Sequence, residues 1–194
     1  TSRTLESLYL EPLRAYIQQH GGRAYPGVGP LTLLIDVKSD SEATYIALDA
    51  VLRRYADVLT IVAQGVVVNG PVLAVISGER AINTMRQSPV RFAAVDGRLA
   101  DLEKAARWPP TLMPLVSDSW DRISKWKGEG PAPADARHDV DRVVSLAHAQ
   151  GRQLRFWGTP DNAAVWQLLR DAGVDLIGAD DLDALRTFLA PRRE

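Results

Sequence analysis

Six times along this chain a short apolar run is closed by a polar or glycine turn and followed by residues in a helical pattern. That alternation limits the possible folds more than any other feature. The runs are 31–35, 72–76, 90–95, 112–116, 154–157 and 174–177. Strands separated by helices cannot pair as tight hairpins, so the pattern predicts an α/β fold built on a parallel sheet. The first run, Leu-Thr-Leu-Leu-Ile between Pro30 and Asp36, is too short for a helix and reads as a parallel strand buried on both faces. Six strand-helix units make three quarters of an eight-fold (β/α) barrel of the TIM type, a fold that usually needs ~250 residues. With 194 residues, 46% of them hydrophobic, the chain is expected to be a single domain, 1–194, forming an incomplete barrel. The two outermost strands would have unpaired edges, a costly state. Either a partner on the open sheet or further residues beyond these are therefore expected.

Amphipathic stripes lie between the runs. Leu48, Val51, Leu52 and Tyr55 share one helical face, with Asp49, Arg53 and Arg54 on the other. Similar stripes pass through Val140, Val143, Val144 and Ala147, through Val165, Leu168, Leu169 and Ala172, and through Leu182, Leu185 and Leu189. A further helix at 5–19 has no strand before it and stops at Gly21-Gly22. Runs 58–62 and 66–68, divided by Gln64-Gly65 and ended by Asn69-Gly70, predict a β-excursion ahead of 72–76, and only this last run need belong to the barrel. Gly128, Gly130, Pro131 and Pro133 make 127–135 a loop within the domain rather than a linker, because the strand-helix rhythm resumes directly after it.

Composition narrows the functional classes. Lys and Arg total 23 against 24 Asp and Glu, so there is no overall basic field for nucleic acid or for an anionic membrane, and no nucleic-acid partner is expected. The absence of cysteine excludes disulfides, thiolate zinc sites and a cysteine nucleophile. No apolar run approaches the ~20 residues of a membrane span. Because the first residue is Thr1, processing or cutting is expected, any targeting segment would precede it, and the compartment stays open between secreted and cytoplasmic.

In barrels of this kind the polar residues at the carboxyl ends of the strands carry the chemistry. Asp36 and Lys38 end the first run. A carboxylate is a hard oxygen ligand for calcium or magnesium, and an ammonium two residues along the same strand points the same way, toward a phosphate that the metal binds. The two residues equally fit an ordinary solvated ion pair. Arg80, after Ser77-Gly78, reads either as a guanidinium fork for a phosphate or sugar group or as a helix-start arginine facing solvent. Trp157 reads either as an aromatic pocket wall or as a core tryptophan. Asp96-Gly97-Arg98 reads either as closing the mouth of the barrel or, in preference, as a turn, and Asp180-Asp181 as the N-cap of the helix from Leu182. Trp108, Trp120, Trp126 and Trp166 read as packing or loop residues. His20, His138 and His148 lie away from strand ends and read as structural or surface histidines, so no pair is available as general acid and base.

A set of segments in fixed order carries a resemblance over nearly the whole chain: Thr4-Leu-Glu-Ser-Leu-Tyr-Leu-Glu-Pro-Leu13, Leu33-Leu-Ile-Asp-Val-Lys38, Val75-Ile-Ser-Gly-Glu-Arg80, Ala94-Val-Asp-Gly-Arg98, Met113-Pro-Leu-Val-Ser117, Ala147-His-Ala-Gln-Gly-Arg152, Leu154-Arg-Phe-Trp-Gly-Thr-Pro-Asp161 and Gly173-Val-Asp-Leu-Ile-Gly-Ala-Asp-Asp-Leu182. Together they resemble the phosphatidylinositol-specific phospholipase C and glycerophosphodiester phosphodiesterase superfamily, in a branch that includes proteins similar to the yeast altered inheritance of mitochondria group. The resemblance implies a TIM-type barrel in which a divalent cation, Ca2+ or Mg2+, and two histidines cleave a phosphodiester. Hydrolytic members use water as the eventual nucleophile, whereas phospholipases first use the neighbouring inositol hydroxyl and pass through a cyclic phosphate.

By the same resemblance Asp36 is a metal ligand, and Lys38, Arg80 and Trp157 hold a small-molecule or lipid phosphodiester. Asp36 stands in place of the glutamate of many relatives, with a shorter reach, and Glu79 stands where relatives often show a different polar residue. The catalytic histidines and two acidic ligands of the family come mostly from its first two strands, in His-Asn or His-Arg-Gly and Glu-x-Asp motifs, and neither motif occurs in this sequence. The helix at 5–19 resembles the family segment that follows them. The resemblance thus implies the carboxyl-terminal three quarters of a phosphodiesterase of lipid metabolism, inactive alone, with its histidine pair upstream of Thr1.

Other classes fit the same residues. A Schiff-base aldolase-type barrel would use Lys38 as nucleophile. A non-catalytic barrel scaffold or lipid-binding module would need no histidines. A carbohydrate-active barrel using Asp36 and Asp96 would require a defined separation between the two acids.

Overall fold

The run that opens at Leu31 forms a strand that continues past its apolar residues, so that β1 spans Leu31–Val37 and carries Asp36 within it. The structure, a computed structural model, describes residues 3–25, 29–104 and 107–190. Its elements are strands alternating with helices, and they fall into two units, 1–96 with 111–113 and 97–110 with 114–194. No helix among the described residues is long and apolar enough to cross a membrane.

The first unit begins with a π-helical turn, Glu6–Leu10, that runs into α1, Glu11–Gln19. Pro12 sits in the first turn of α1, where its missing N–H costs nothing. Leu10 and Ile17 are buried and dock the helix. Arg14 grips Asp57 through both carboxylate oxygens, and Arg54 Nη2 lies 2.7 Å from Glu6 Oε2. After β1, Asp40 caps α2, Ser41–Leu52, by accepting a hydrogen bond from the Ala43 N–H at 3.2 Å. The periodicity of α2 holds: Leu52 is buried, as are Tyr45 in the helix and Tyr55 in the 3-10 turn that follows it.

The next residues leave the parallel arrangement, as expected. β2, Ile61–Ala63, and β3, Val66–Val68, form an antiparallel hairpin whose turn places Gln64 and Gly65 at positive φ. The chain then returns as β4, Val72–Gly78, parallel to β1 over seven residue pairs from Leu31↔Val72 to Val37↔Gly78. A short helix α3, Ile82–Gln87, leads back.

The run 90–95, expected to be one strand, is two. β5, Val90–Arg91, pairs antiparallel with β2, whereas β6, Ala94–Gly97, lies parallel to β4. The change of sheet at Phe92-Ala93 leaves little mark in the sequence because both sheets bury their residues there, Arg91 included. It also overturns the reading of Asp96-Gly97-Arg98 as a turn, since Asp96 and Gly97 belong to β6.

The second unit contains α4, Leu99–Leu102, then β7, Leu115–Ser119, α5, Ala134–Ala149, β8, Gln153–Trp157, α6, Ala163–Asp171, β9, Leu176–Ile177, and α7, Leu182–Leu189. β8 pairs in parallel with both β7 and β9. The run read at 112–116 is displaced: the strand starts at Leu115 and extends through Ser117 and Asp118, because Asp118 is stabilised in a buried position by the Leu99 N–H and by Arg122.

One apolar cluster joins α5 and α6 to the strands of this unit, with Val140, Val143, Val144 and Ala147 facing Leu154, Phe156 and Leu168. Trp120 is fully buried and meets Phe156 edge to face, ring centres 6.0 Å apart. Asp181 caps α7 as predicted, accepting from the Ala184 N–H at 2.9 Å.

Two outcomes follow from this packing. Arg14 holds the Asp57 carboxyl below the usual carboxylate range, chiefly by hydrogen bonding, and Arg54 acts likewise on Glu6. Carboxylates with lowered pKa stabilise the folded state above the ordinary carboxylate pKa and lose that contribution as the pH falls through the lowered value. Amide protection factors in α1 are therefore expected to fall below about pH 4 before those of β4, and Asp57→Asn should lower them in the same way at neutral pH. Trp120→Ala is expected to cost about 3–5 kcal/mol in denaturant unfolding of the second unit, as removal of a fully buried aromatic does.

Candidate functional site

Parallel register brings three polar residues into one row at the carboxyl ends of β1, β4 and β6. Asp36 lies beside Ser77. One step beyond the Ile76↔Val95 pair, Ser77 lies beside Asp96, and its Oγ donates to Asp96 Oδ2 at 2.6 Å. Accessibility falls steeply along the row: the Asp36 side chain is 50% exposed, whereas Ser77 and Asp96 are buried. Asp36 can therefore meet a ligand from solvent, while Asp96 is committed to the protein interior.

Gly78 makes the row possible. It adopts φ +71°, a conformation that favours glycine, and a Cβ at this position would collide with the Val37 carbonyl oxygen and the Asp36 carboxylate. The close approach lets the Glu79 N–H donate to the Val37 carbonyl at 2.8 Å, which extends the β1–β4 ladder beyond the strand end.

Lys38 follows β1 and places its Nζ 2.5 Å from Asp36 Oδ2, with the lysine side chain 82% exposed. Arg80 is partly buried, and its Nη1 donates to the Asp96 carbonyl at 2.6 Å. That bond replaces the reading of Arg80 as a helix-start residue facing solvent: the guanidinium is turned onto β6.

The structure thus assembles Asp36, Lys38 and Arg80 at one end of the parallel strands of the first unit. Trp157 belongs to the second unit, at the end of β8, where it is 47% exposed. The alternative of a core tryptophan is excluded. Trp108, Trp120 and Trp166 are buried, as packing residues are.

Among the described residues no group of three His, Cys, Asp or Glu is placed to hold a metal ion. Asp36 supplies one solvent-accessible carboxylate, so a cation bound there would draw its remaining oxygen ligands from water and from phosphate.

The histidines have other partners. His148 Nε2 lies 2.9 Å from Asp175 Oδ2, His20 stacks on Tyr16 with ring centres 3.9 Å apart, and His138 is exposed on α5. None of them stands at the carboxyl end of a strand.

Pattern alone offers no role for Ser77 and, for Asp96, only that of one acid in a carbohydrate-active pair. Their signal is faint but present: each is the first polar residue after an apolar strand run, as Asp36 is.

No family model matches this chain, and no solved structure matches it. The chain is similar to the Altered inheritance of mitochondria protein 6 homolog of Arthroderma benhamiae. The two are 26% identical over 210 residues, covering 96% of this chain and 66% of that protein, slightly under two thirds of its length.

Substitution of Gly78 tests the geometry. Gly78→Ala combines left-handed backbone strain with a collision at Asp36, and is expected to cost about 2 kcal/mol or more in thermal unfolding. In NMR spectra it should shift the Asp36 and Lys38 resonances as well as those of its own neighbours, while Ala substitution at the open Gly65 leaves them in place.

Proposed function

We propose that this chain is part of a metal-dependent phosphodiesterase of the phospholipase C and glycerophosphodiester phosphodiesterase type, built as an incomplete TIM-type barrel. The supporting observation is the convergence of Asp36, Lys38 and Arg80 at the carboxyl ends of adjacent parallel strands, where barrels of that type do their chemistry.

The physical logic favours ion exchange at this point. An exposed ion pair such as Asp36–Lys38 is worth only about 0–1 kcal/mol, so each partner can give up the other at little cost. Asp36 would hold a divalent cation, and Lys38 would reach a phosphate oxygen. Arg80, fixed on β6, offers a directional fork to the same phosphate. The cation, when bound, polarises the phosphoryl group.

The similarity to the Arthroderma benhamiae protein accords with the same branch of relatives. The activity is proposed for a whole protein of that length. These 194 residues contain no histidine pair at strand ends to act as acid and base.

A second reading is a non-catalytic barrel module that binds a phosphodiester or lipid through the exposed Asp36–Lys38 pair. The aldolase-type reading draws less support, because Lys38 is exposed and ion-paired whereas Schiff-base lysines gain reactivity from desolvation or a neighbouring cation.

Calorimetric titration with Mg2+ and Ca2+, followed by glycerophosphocholine in the presence of each, separates these readings. The enzyme reading expects metal-dependent binding of the diester, weakened about tenfold by Asp36→Asn and by Arg80→Gln, on the scale of one charge-assisted contact. Diester binding that ignores the metal would instead favour the non-catalytic module. A borohydride-trapped adduct at Lys38 would favour the aldolase type.

A further inference from the structure

The loop that carries Arg80 starts at a residue with little conformational preference of its own. Gly78 adopts φ +71°, a region that glycine enters and leaves with equal ease. The direction in which residues 78–80 depart from β4 is therefore set by contacts on either side of the glycine. Two of those contacts converge on one residue. Before the glycine, Ser77 Oγ donates to Asp96 Oδ2 at 2.6 Å; after it, Arg80 Nη1 donates to the Asp96 carbonyl at 2.6 Å. Asp96 thus grips the chain on both sides of the turn, with its side chain on one and its backbone on the other.

The grip sits just past the paired part of the two strands. Register pairs between β4 and β6 run Val75↔Ala94 and Ile76↔Val95, and the bond from Ser77 to Asp96 joins the next residue of each. Both residues are buried, Asp96 with none of its surface exposed. A hydroxyl donating to a carboxylate out of contact with water makes a stronger bond than it would in solvent. The Asp96 peptide is held in place by that bond, and its carbonyl gives Arg80 an acceptor in a defined direction. Arg80 itself is only partly buried, so a ligand can reach it.

We propose that Asp96, tethered by Ser77, is a positioning residue for the site. Fully enclosed, it touches no ligand; it acts through Arg80, whose guanidinium it holds in the orientation that meets a phosphate oxygen. An arginine already ordered loses less rotamer freedom when it binds, so the tether raises the affinity for a phosphodiester without contacting it. This role rests on the reading of Arg80 as a phosphate-binding residue. Asp36 offers its carboxylate to a cation from a different strand, and loss of the tether therefore weakens the diester and spares the metal.

A double-substitution cycle separates positioning from plain structural support, read by calorimetric titration with glycerophosphocholine in the presence of Mg2+. Ser77→Ala removes the hydroxyl and little volume. It should weaken diester binding about tenfold, the scale expected for Arg80→Gln, with Mg2+ affinity unchanged. In an Arg80→Gln background the same substitution should have no further effect, because the two residues act as one unit. Ser77→Thr, which restores the hydroxyl, should recover the affinity that Ser77→Ala loses. If Ser77→Ala fails to fold by circular dichroism, Ser77→Cys, a weaker donor, takes its place in the cycle. Equal losses in both backgrounds overturn the proposal, as does wild-type affinity in Ser77→Ala. A wild-type chain that binds no diester overturns the reading of Arg80, and the tether is then decided by NMR of the Arg80 Nε–H. That group should be ordered in the wild type and averaged in Ser77→Ala; equal order in the two overturns the tether itself.

Discussion

The carboxyl ends of β1 and β4 meet at a point where no side chain fits. Val37 and Gly78 are register partners, and the glycine lies so close to the Val37 carbonyl and the Asp36 carboxylate that a single methyl group would force the strands apart. The same residue turns the chain through positive φ, so that the Glu79 N–H can complete the ladder before α3 begins. A slip of two residues keeps each side chain on its own face, so apolar residues alone discriminate poorly against it. The Gly78 contact pins the register, and with it the placement of Asp36 beside Ser77.

From that pinned register the polar row extends inward. Ser77 passes a hydrogen bond to Asp96, and the backbone of Asp96 receives Arg80. Burial along this path changes what each group does. Asp96 is enclosed, so its carboxylate serves the architecture by holding Ser77. Arg80 is oriented by the Asp96 carbonyl, which fixes its guanidinium on β6. Asp36 and Lys38 face water as an exposed pair whose mutual attraction is small enough to be replaced by a cation and an anion. A fixed guanidinium beside an exchangeable ion pair is a reasonable frame for a phosphodiester, and it is the frame on which the functional proposal rests.

Much of this was legible from residues in order. Period-two and period-3.6 patterns reported the alternation of strands and helices, the hairpin at Gln64-Gly65, the cap at Asp181 and the pairing of Asp36 with Lys38, because each depends on residues within a few positions of one another. The division of 90–95 between two sheets was not legible, since Val90 and Ala94 are both apolar whichever sheet they join. Nor was the role of Asp96, which looked like a turn residue until its partner, 19 positions earlier, was known. The sequence by itself determined which residues form elements and which ends of them are polar, through local periodicity and turn chemistry. Only the tertiary structure decided which polar ends meet, because strand pairing joins distant residues through backbone groups that every amino acid but proline shares.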